Sequence, residues 1–396
     1  MTSYIRPLRV AETFVGRRGF VAALGGVPVL AAALHAQVLH AAVQTRDIRE
    51  FGAVSDPSRD QQAALQAALD WCSHSRGVLR LEKGGIYCHS SGLDLGGGTI
   101  SGMQGTFRAL VPENGRLRIT GAGVALRDLT LASPASKRSQ AYTGIGLLVQ
   151  DAHDFTLTNI AVHGAATAGI LMDDAHRGTL RNILVRGTMA DGLHITNGSS
   201  YIDVANYQAI RTGDDGFAVV SYDRSDQKGR RCNNIRGRFI TVIDGNARGV
   251  AVVGGADVTV EDVKVVRSAC AGLYLNSEVS YGTFGNAHIS AARVQLVDCV
   301  TRKGINQGVV HIEGRKSCSV QRLGGDALNC SSQDVRFSGI VIEGLGIGAR
   351  AGVVAAGDLQ GISVSGRRAS GQRWNRPASQ IDTPDPKAKS ISVSLS

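Results

Sequence analysis

The sequence predicts an all-β fold, a right-handed parallel β-helix with a short N-terminal capping helix. Short apolar strands, most of them led by a glycine, recur along the chain, mostly 23 to 25 residues apart. Glycine is abundant, with 50 residues, while aromatic residues make up only 5%, as expected for short strands joined by tight turns. A repeat of this length with two or three strands is typical of one coil of a solenoid, whose neighbouring coils bury each other's apolar faces.

A marker glycine at the start of each short strand aligns the repeats. The marker glycines are Gly144, Gly169, Gly192, Gly216, Gly249, Gly272 and Gly308. In the coils that begin at Gly192, Gly216, Gly249 and Gly272, the residues one and three positions after the marker are apolar and are expected to face the core. The residues between them are expected to face outward. Two longer spacings predict inserted loops, at 223–234 and between 278 and 306. Both loops are expected to project from one side of the solenoid and to wall a groove.

The first residues are expected to form an export signal rather than part of the fold. Arg17 and Arg18 precede Phe20 and an apolar stretch at 21–34, which is too short to cross a bilayer comfortably. The pattern resembles a twin-arginine signal, which implies a bacterial periplasmic or secreted protein that is exported after folding. An ordinary secretory signal is the alternative. No later segment is expected to insert stably into a membrane.

Three regions are therefore predicted: a leader at 1–42, a single β-helix domain at 43–370 and a polar C-terminal tail at 371–396 with at most one last strand. After the leader, an amphipathic helix is expected at about 60–72, where it would cover the open end of the solenoid. This passage, with FGA, AALQAAL and GIY, resembles the opening of pectate-lyase-superfamily β-helices.

Charge narrows the class of partner. The net charge is +10, and it is near +7 without residues 1–36, which hold four arginines and one glutamate. A basic exported protein suits anionic polysaccharide, peptidoglycan or lipid head groups. The sequence has no stripe of Lys and Arg interleaved with aromatic residues, so nucleic acid is not an expected partner. A monomer and a trimer are both compatible with a solenoid.

The seven cysteines include no CxxC pair, which argues against a structural zinc site. Cys72 and Cys88 are close enough in sequence to form a disulfide near the N-terminal cap. Most of the cysteines are expected instead to be small buried side chains.

The strongest candidate for chemistry is RTGDDGFAVVSY at 211–222. Alignment on the marker glycines puts Asp191 and Asp215 at the same position of successive coils, about 4.8 Å apart, with Asp214 beside them. Asp-Gly is also a common turn pair, so a structural role is the alternative. Three adjacent carboxylates must share a proton, pair with a cation or bind a metal. In such an environment one carboxyl group can serve as acid and another as base.

Other polar residues are expected near this patch. His194 is a further candidate catalytic residue. The candidate substrate-binding residues are Arg248, Tyr222, Asp223, Tyr274, Asn276 and Arg230. No metal site is assigned and no cofactor is required, although Asp173 together with the three aspartates could hold calcium.

The motifs DGLHIT and GDDGFAVVS resemble the polygalacturonase family, glycoside hydrolase family 28. The resemblance implies that Asp214 protonates the leaving oxygen, while Asp191 and Asp215 activate water. It also implies an inverting reaction, which needs room for a water between acid and base.

The resemblance fails at the residues that bind a uronate. The family's Gly-His-Gly is replaced by residues 247–249, with Arg248 in the place of histidine, and its Arg-x-Lys is replaced by Tyr274 and Asn276. A sugar other than galacturonate is therefore expected.

Three functions stay open at this point. The first is hydrolysis of an unidentified polysaccharide. The second is a uronate lyase or epimerase reaction, which uses a base and often calcium. The third is a non-catalytic carbohydrate-binding or cell-surface role. A polysaccharide is the expected partner in each of them.

Overall fold

The structure is a computed structural model and describes residues 43–222, 230–318, 328–370, 374–382 and 391–396. The predicted leader at 1–42 and the candidate Asp223 lie outside the described residues.

The α-helix of the described part, α1, is Gln62–Ser75, and 3-10 helices span Ile48–Phe51, Pro112–Asn114, Tyr142–Gly144 and Val279–Tyr281. The strands β1 to β27 are, in order, Thr45–Asp47, Asp56–Asp60, Val78–Arg80, Ile86–His89, Leu93–Leu95, Thr99–Ala109, Leu117–Ala122, Ala125–Ala132, Leu147–His153, Thr156–Ala165, Ile170–Asp173, His176–Thr188, Leu193–Thr196, Ser200–Ile210, Phe217–Val220, Asn233–Ile243, Val250–Val253, Ala256–Val266, Leu273–Asn276, Asn286–Cys299, Val310–Cys318, Leu328–Cys330, Ser332–Leu345, Val353–Gly357, Leu359–Arg368, Ser379–Asp382 and Ile391–Leu395.

The strands stack in two parallel ladders, and this confirms the predicted parallel β-helix. The ladder of mostly long strands runs through β1, β3, β6, β8, β10, β12, β14, β16, β18, β20, β23, β25 and β27. The ladder of short strands runs through β5, β7, β9, β11, β13, β15, β17, β19, β21, β24 and β26. Each coil of the regular part therefore contributes one long and one short strand.

A left-handed residue bends each long strand of the central coils. Asn159, Asn182 and Asn206 have φ values of 55°, 57° and 56° at this bend. The Asn182 side-chain amide donates to Asn159 at 2.8 Å, and that of Asn206 donates to Asn182 at 3.0 Å. Asparagine adopts this conformation more readily than most residues. The bend divides the long strand into two faces, which close around one core with the short strand.

The marker glycines are required by the close approach of neighbouring coils. A Cβ on Gly192 would lie 2.5 Å from the carbonyl oxygen of Gly216 and 2.5 Å from the Tyr207 hydroxyl. Leu193 pairs with Phe217 in the following coil, so these glycines pack where coil meets coil. The first and last predicted markers are wrong.

The register shows why those two markers are wrong. Leu147 pairs with Ile170, and Leu273 pairs with Val310, so the marker position belongs to Gly146 and Val309 rather than to Gly144 and Gly308. The turns that precede these two coils differ in length from the regular repeat.

The inward-facing residues of the short strands are buried as predicted, including Leu193, Ile195, Phe217 and Val219. The outward-facing residues differ from the expectation of an open face. Ala218, Val220, Ala251 and Val253 are buried too and form a second apolar cluster with Ala271 and Tyr274. The half-buried Tyr222 packs against this cluster. The outward side of these coils is therefore covered.

Both ends of the solenoid depart in detail from the prediction. Helix α1 begins and ends two to three residues later than expected, and its buried face joins the main core through Leu65 and Leu69. Strands β26 and β27 pair with β24 and β25, so the predicted tail contains two strands.

Among the residues that the structure describes, we find no helix both long and apolar enough to span a membrane.

The suggested Cys72–Cys88 disulfide is wrong, because both thiols are free. Among the residues that the structure describes, five cysteines are free and buried, as the alternative interpretation expected: Cys72, Cys88, Cys232, Cys270 and Cys299. The Cys72 thiol donates to the Gly77 carbonyl at 3.4 Å, and the Cys88 thiol donates to the Pro57 carbonyl at 3.3 Å. Each thiol is therefore held by backbone rather than by the other cysteine.

Gly192→Ala should destabilise the protein, because its Cβ would meet the backbone of the next coil, which cannot move without breaking the strand register. Overpacking of this kind costs about 1–3 kcal/mol of unfolding free energy. Gly96→Ala is the matched control, since its Cβ would have no neighbour closer than 3.8 Å. Urea unfolding of both variants measures the difference. Equal stability of the two variants would contradict the requirement for close approach.

Candidate active site

The three aspartates converge at the turns that lead into two neighbouring short strands. Asp191 lies between β12 and β13, and Asp214 and Asp215 lie between β14 and β15. One oxygen of each carboxylate lies within 4.8 Å of the corresponding oxygens of the other two. This is below the roughly 6.5–9.5 Å that separates the carboxyl groups of most inverting glycosidases. A single water can still bridge two oxygens 4.8 Å apart at hydrogen-bond distances of about 2.8 Å.

Asp191 is held by one side chain and one backbone group. The ring nitrogen Nδ1 of His194 lies 2.7 Å from Asp191 Oδ2, and the backbone N–H of Asp215 donates to Asp191 Oδ1 at 3.0 Å. Burial raises the pKa of Asp191, but the charge and the hydrogen bond of His194 outweigh burial and place that pKa below its usual value. Burial lowers the pKa of His194, but the charge of Asp191 outweighs it and raises that pKa. The two residues favour a carboxylate beside an imidazolium.

Asp215 is the most buried of the three, with 3% of its side chain exposed. Its Oδ1 lies 2.9 Å from Nε of Arg248 and accepts a hydrogen bond of 2.9 Å from the Arg248 backbone N–H. Burial raises the pKa of Asp215 to about 7, with a further increase from the charges of Asp191 and Asp214, although Arg248 opposes it. Asp191 and Asp215 therefore differ in their readiness to carry a proton.

Asp214 is the most accessible carboxylate, with 30% of its side chain exposed compared with 14% for Asp191. The guanidinium of Arg138 donates to Asp214 Oδ2 at 2.9 Å. The backbone N–H of Asp214 donates to the carbonyl of Ala190 in the preceding coil at 3.1 Å. The backbone contact fixes the turn and leaves the carboxylate at the surface of the site.

Arg248 connects the aspartates to a second set of polar side chains, which begins with Tyr274 and Glu278 two coils after Asp215. Its guanidinium lies 4.7 Å from the centre of the Tyr274 ring and 3.5 Å from Glu278. The Tyr274 hydroxyl donates to Glu278 at 3.1 Å, and the Asn276 amide donates to Glu313 at 3.3 Å. Tyr274 and Asn276, which occupy the position of the uronate-binding pair of polygalacturonases, are both 4% exposed.

The other predicted residues lie at different distances from the aspartates. The Tyr222 ring stacks on His194 with 6.3 Å between ring centres. Arg230 forms an ion pair with Asp174 and not with the aspartate cluster. Asp173 accepts a hydrogen bond from the Asn197 amide at 2.6 Å.

Sequence analysis missed Arg138, Glu278, Glu313 and the imidazole of His311, which lies 3.3 Å from Glu313. Arg138 lies on the loop at 133–146, between β8 and β9, outside the aligned repeats. The sequence feature that could have drawn attention to Arg138 is the polar, proline-containing stretch SPASKRSQAYTG, which interrupts the strand pattern.

Calcium does not fit the three aspartates well. Calcium takes six to eight oxygen ligands. The carboxylates of Asp191 and Asp215 already accept from backbone N–H groups, and the three carboxylates pair with Arg138, His194 and Arg248. A divalent cation would have to displace those positive groups. The arrangement is better suited to moving a proton between carboxyl groups than to holding a metal.

Comparison with protein families gives one match. Residues 140–307 match the family model described as the α-1,3-glucanase catalytic domain D2. This segment is less than half of the chain but contains all three aspartates, His194 and Arg248. A search of curated proteins found no match. The matching family is therefore a glucanase rather than a polygalacturonase.

Solved structures with a similar fold include two kinds of carbohydrate enzyme. The catalytic domain of a GH87 α-1,3-glucanase with bound nigerose has a TM-score of 0.56 and 16% identity, covering 86% of this chain and 66% of that one. The Azotobacter vinelandii mannuronan C-5 epimerase AlgE4 A-module has a TM-score of 0.58 and 15% identity, covering 86% and 96%. The chain spans about two thirds of the glucanase domain. At these identities the likeness shows the fold, a pectate-lyase-like right-handed parallel β-helix.

Proposed function

We propose that the protein is a glycoside hydrolase that acts on α-1,3-linked glucan, with Asp214 as the acid and Asp191 with Asp215 as the base. The observation that carries the proposal is the cluster of three aspartates on two successive coils. Solved structures of the GH87 glucanase include single alanine variants at three aspartates, two adjacent and one 23 positions earlier. Asp191, Asp214 and Asp215 have the same spacing. The match of residues 140–307 to a glucanase family supports the same activity.

The acid role suits Asp214 because an acid must reach the glycosidic oxygen. Asp214 is the most exposed of the three carboxylates, and its side-chain partner Arg138 lies on a loop rather than on a coil. A sugar that enters beside Asp214 can therefore take the place of Arg138 without disturbing the strand ladder.

The base role suits the pair of Asp191 and Asp215. The backbone N–H of Asp215 ties the two turns together, so their carboxylates keep a fixed relation. A water that bridges the carboxylates can pass its proton to one of them as it attacks the sugar. Arg248 offsets part of the charge of the pair, so the pair can lose its protons within the low-dielectric site.

A neutral sugar fits the charge balance of the site. Each aspartate of the cluster already has a positive partner, from Arg138, His194 or Arg248. The positive charges of Arg138, His194 and Arg248 are therefore already balanced by the three aspartates, and they are not available to pair with the carboxylate of a uronate. This favours a glucan over a uronate polymer as the first substrate to test.

A uronate epimerase or lyase is the second candidate. The observation in its favour is the fold that the chain shares with the mannuronan C-5 epimerase module. A cation at the three carboxylates would have to displace their positive partners. Uronate polymers incubated with and without calcium test it. An unsaturated-uronate absorbance or a change in uronate configuration that depends on calcium would replace the hydrolase proposal.

The proposed site of action is the periplasm or the exterior of a bacterium, and fractionation of cells that express the full chain tests it.

Asp214→Asn should reduce the release of reducing ends from α-1,3-glucan by about 10²–10⁴-fold, the usual contribution of a positioned acid. Asp262→Asn is the matched control, because Asp262 is half-buried and pairs with Arg293 at 2.6 Å, outside the site. The initial rate with both variants at one pH is the measurement. A control variant as inactive as Asp214→Asn would show that the loss is not specific. Retained activity in Asp214→Asn would remove this residue from the acid role.

The pH profile of kcat/KM should report the base pair. Asp215 has a pKa of about 7, and a base works when deprotonated, so the rate should rise as pH increases toward 7. Arg248→Gln removes the positive charge that lowers this pKa, and the acidic limb should move to higher pH. Arg293→Gln is the matched control and should leave the limb in place. An acidic limb unchanged by Arg248→Gln would contradict a base role for Asp215.

A further inference from the structure

A cavity of about 160 Å³ lies beside the aspartates, toward the N-terminal coils. It lies between the loop at 133–146 and the starts of β9, β11 and β13. Its lining includes Arg138, Tyr142, Ile145, Thr167, Ala168 and Leu171. A cavity of about 150 Å³ is large enough for a six-membered ring.

The cavity continues the aspartate column by one and two coils. Ala168 and Ile145 each precede a marker glycine, as Asp191 does, and the N–H of Gly169 donates to the Asp191 carbonyl at 2.9 Å. Stacked coils are about 4.8 Å apart, so Ala168 lies one coil from Asp191. A sugar ring in the cavity would therefore sit directly beside a bond held at the aspartates.

The walls of the cavity differ in chemistry. Ile145, Ala168 and Leu171 belong to a small apolar cluster on the outer face of the coils. The side toward the aspartates carries Arg138, Asp191 and His194 instead. Apolar walls with a few fixed polar groups are typical of small-molecule sites. A pyranose ring presents both an apolar face of C–H groups and an edge of hydroxyl groups.

The side chain of Thr167 lines the cavity. Its hydroxyl is buried and makes no hydrogen bond within the part of the chain that the structure describes. Leaving a buried hydroxyl unpaired costs about 1–3 kcal/mol. A turn of Thr167 about χ1 would bring this hydroxyl to the cavity, where a sugar hydroxyl can pair with it.

We infer that this cavity binds the glucose residue next to the cleaved bond, with Tyr142 and the apolar wall at Ala168 as its specificity-determining contacts. The inference rests on the proposed function and goes beyond it, because it assigns a binding role to the loop at 133–146. Tyr142 is 47% exposed at the cavity, so its ring can cover the sugar. Arg138 belongs to both the cavity and the Asp214 ion pair, so a bound sugar would reach the acid directly.

Two variants test the inference with an α-1,3-linked glucose tetrasaccharide as the probe. Tyr142→Ala removes the aromatic wall, and Ala168→Leu fills the cavity without removing a polar contact. Each should raise KM about tenfold while kcat stays within about threefold, because the aspartates are untouched. Tyr201→Ala is the matched control, since Tyr201 is 61% exposed and lies at the start of β14. Ala168→Ser controls for substitution at that position.

Calorimetric titration of the tetrasaccharide into the Asp214→Asn protein, alone and combined with Tyr142→Ala, measures binding without cleavage. The dissociation constant should rise about tenfold with the second substitution. If the unmodified protein cleaves the probe while both variants match their controls in KM, the inference fails and the proposed function stands. If the unmodified protein neither cleaves nor binds the probe, the function and the inference both fail. Thermal melting of every variant separates a lost contact from a lost fold.

Discussion

The site depends on the hydrogen-bonded register between successive short strands. Leu193 pairs with Phe217, and Phe217 pairs with Val250. This register places the residues that precede each marker glycine one above another. It brings Asp191 and Asp215 together although they are 24 residues apart, and their mutual repulsion cannot separate them without breaking the ladder. The glycines permit this spacing, because a side chain at Gly192 would meet the next coil.

The cost of crowding three carboxylates is offset by positive groups from different parts of the fold. His194 comes from β13, the short strand that Asp191 precedes. Arg248 comes from the coil after Asp215, and Arg138 from a loop that precedes the cluster by two coils. These positive groups do not lower the pKa values of the aspartates equally. Asp191 has a lowered pKa beside His194, whereas burial raises the pKa of Asp215 to about 7 despite Arg248. Within the proposed base pair, Asp215 is therefore the carboxylate more ready to take a proton from water.

Features that repeat could be predicted from the sequence, and features that occur once could not. The period of the glycines and the alternation of apolar residues predicted the fold, the inward face and the convergence of the aspartates. The burial of Ala218 and Ala251 could not be predicted, because it depends on what covers the outer face rather than on alternation. Arg138 was missed because its contact with Asp214 spans 76 residues and starts from a loop outside the repeat. The free thiols of Cys72 and Cys88 show a similar limit, since closeness in sequence does not specify side-chain direction.

The residue before the marker glycine differs from coil to coil, and these differences locate the candidate site on a repeating fold. Along successive coils this position holds Ile145, Ala168, Asp191, Asp215, Arg248 and Ala271. Charge is confined to three consecutive coils, and the residues on either side are apolar or small. The short strands that follow this position pair in one parallel register through these coils, so the residue that occupies the position distinguishes one coil from the next. The apolar positions before Asp191 form the wall of the cavity, and the charged positions form the proposed reaction centre. A polymer lying along this column would therefore meet an apolar wall and then a proton-transfer site, one coil apart.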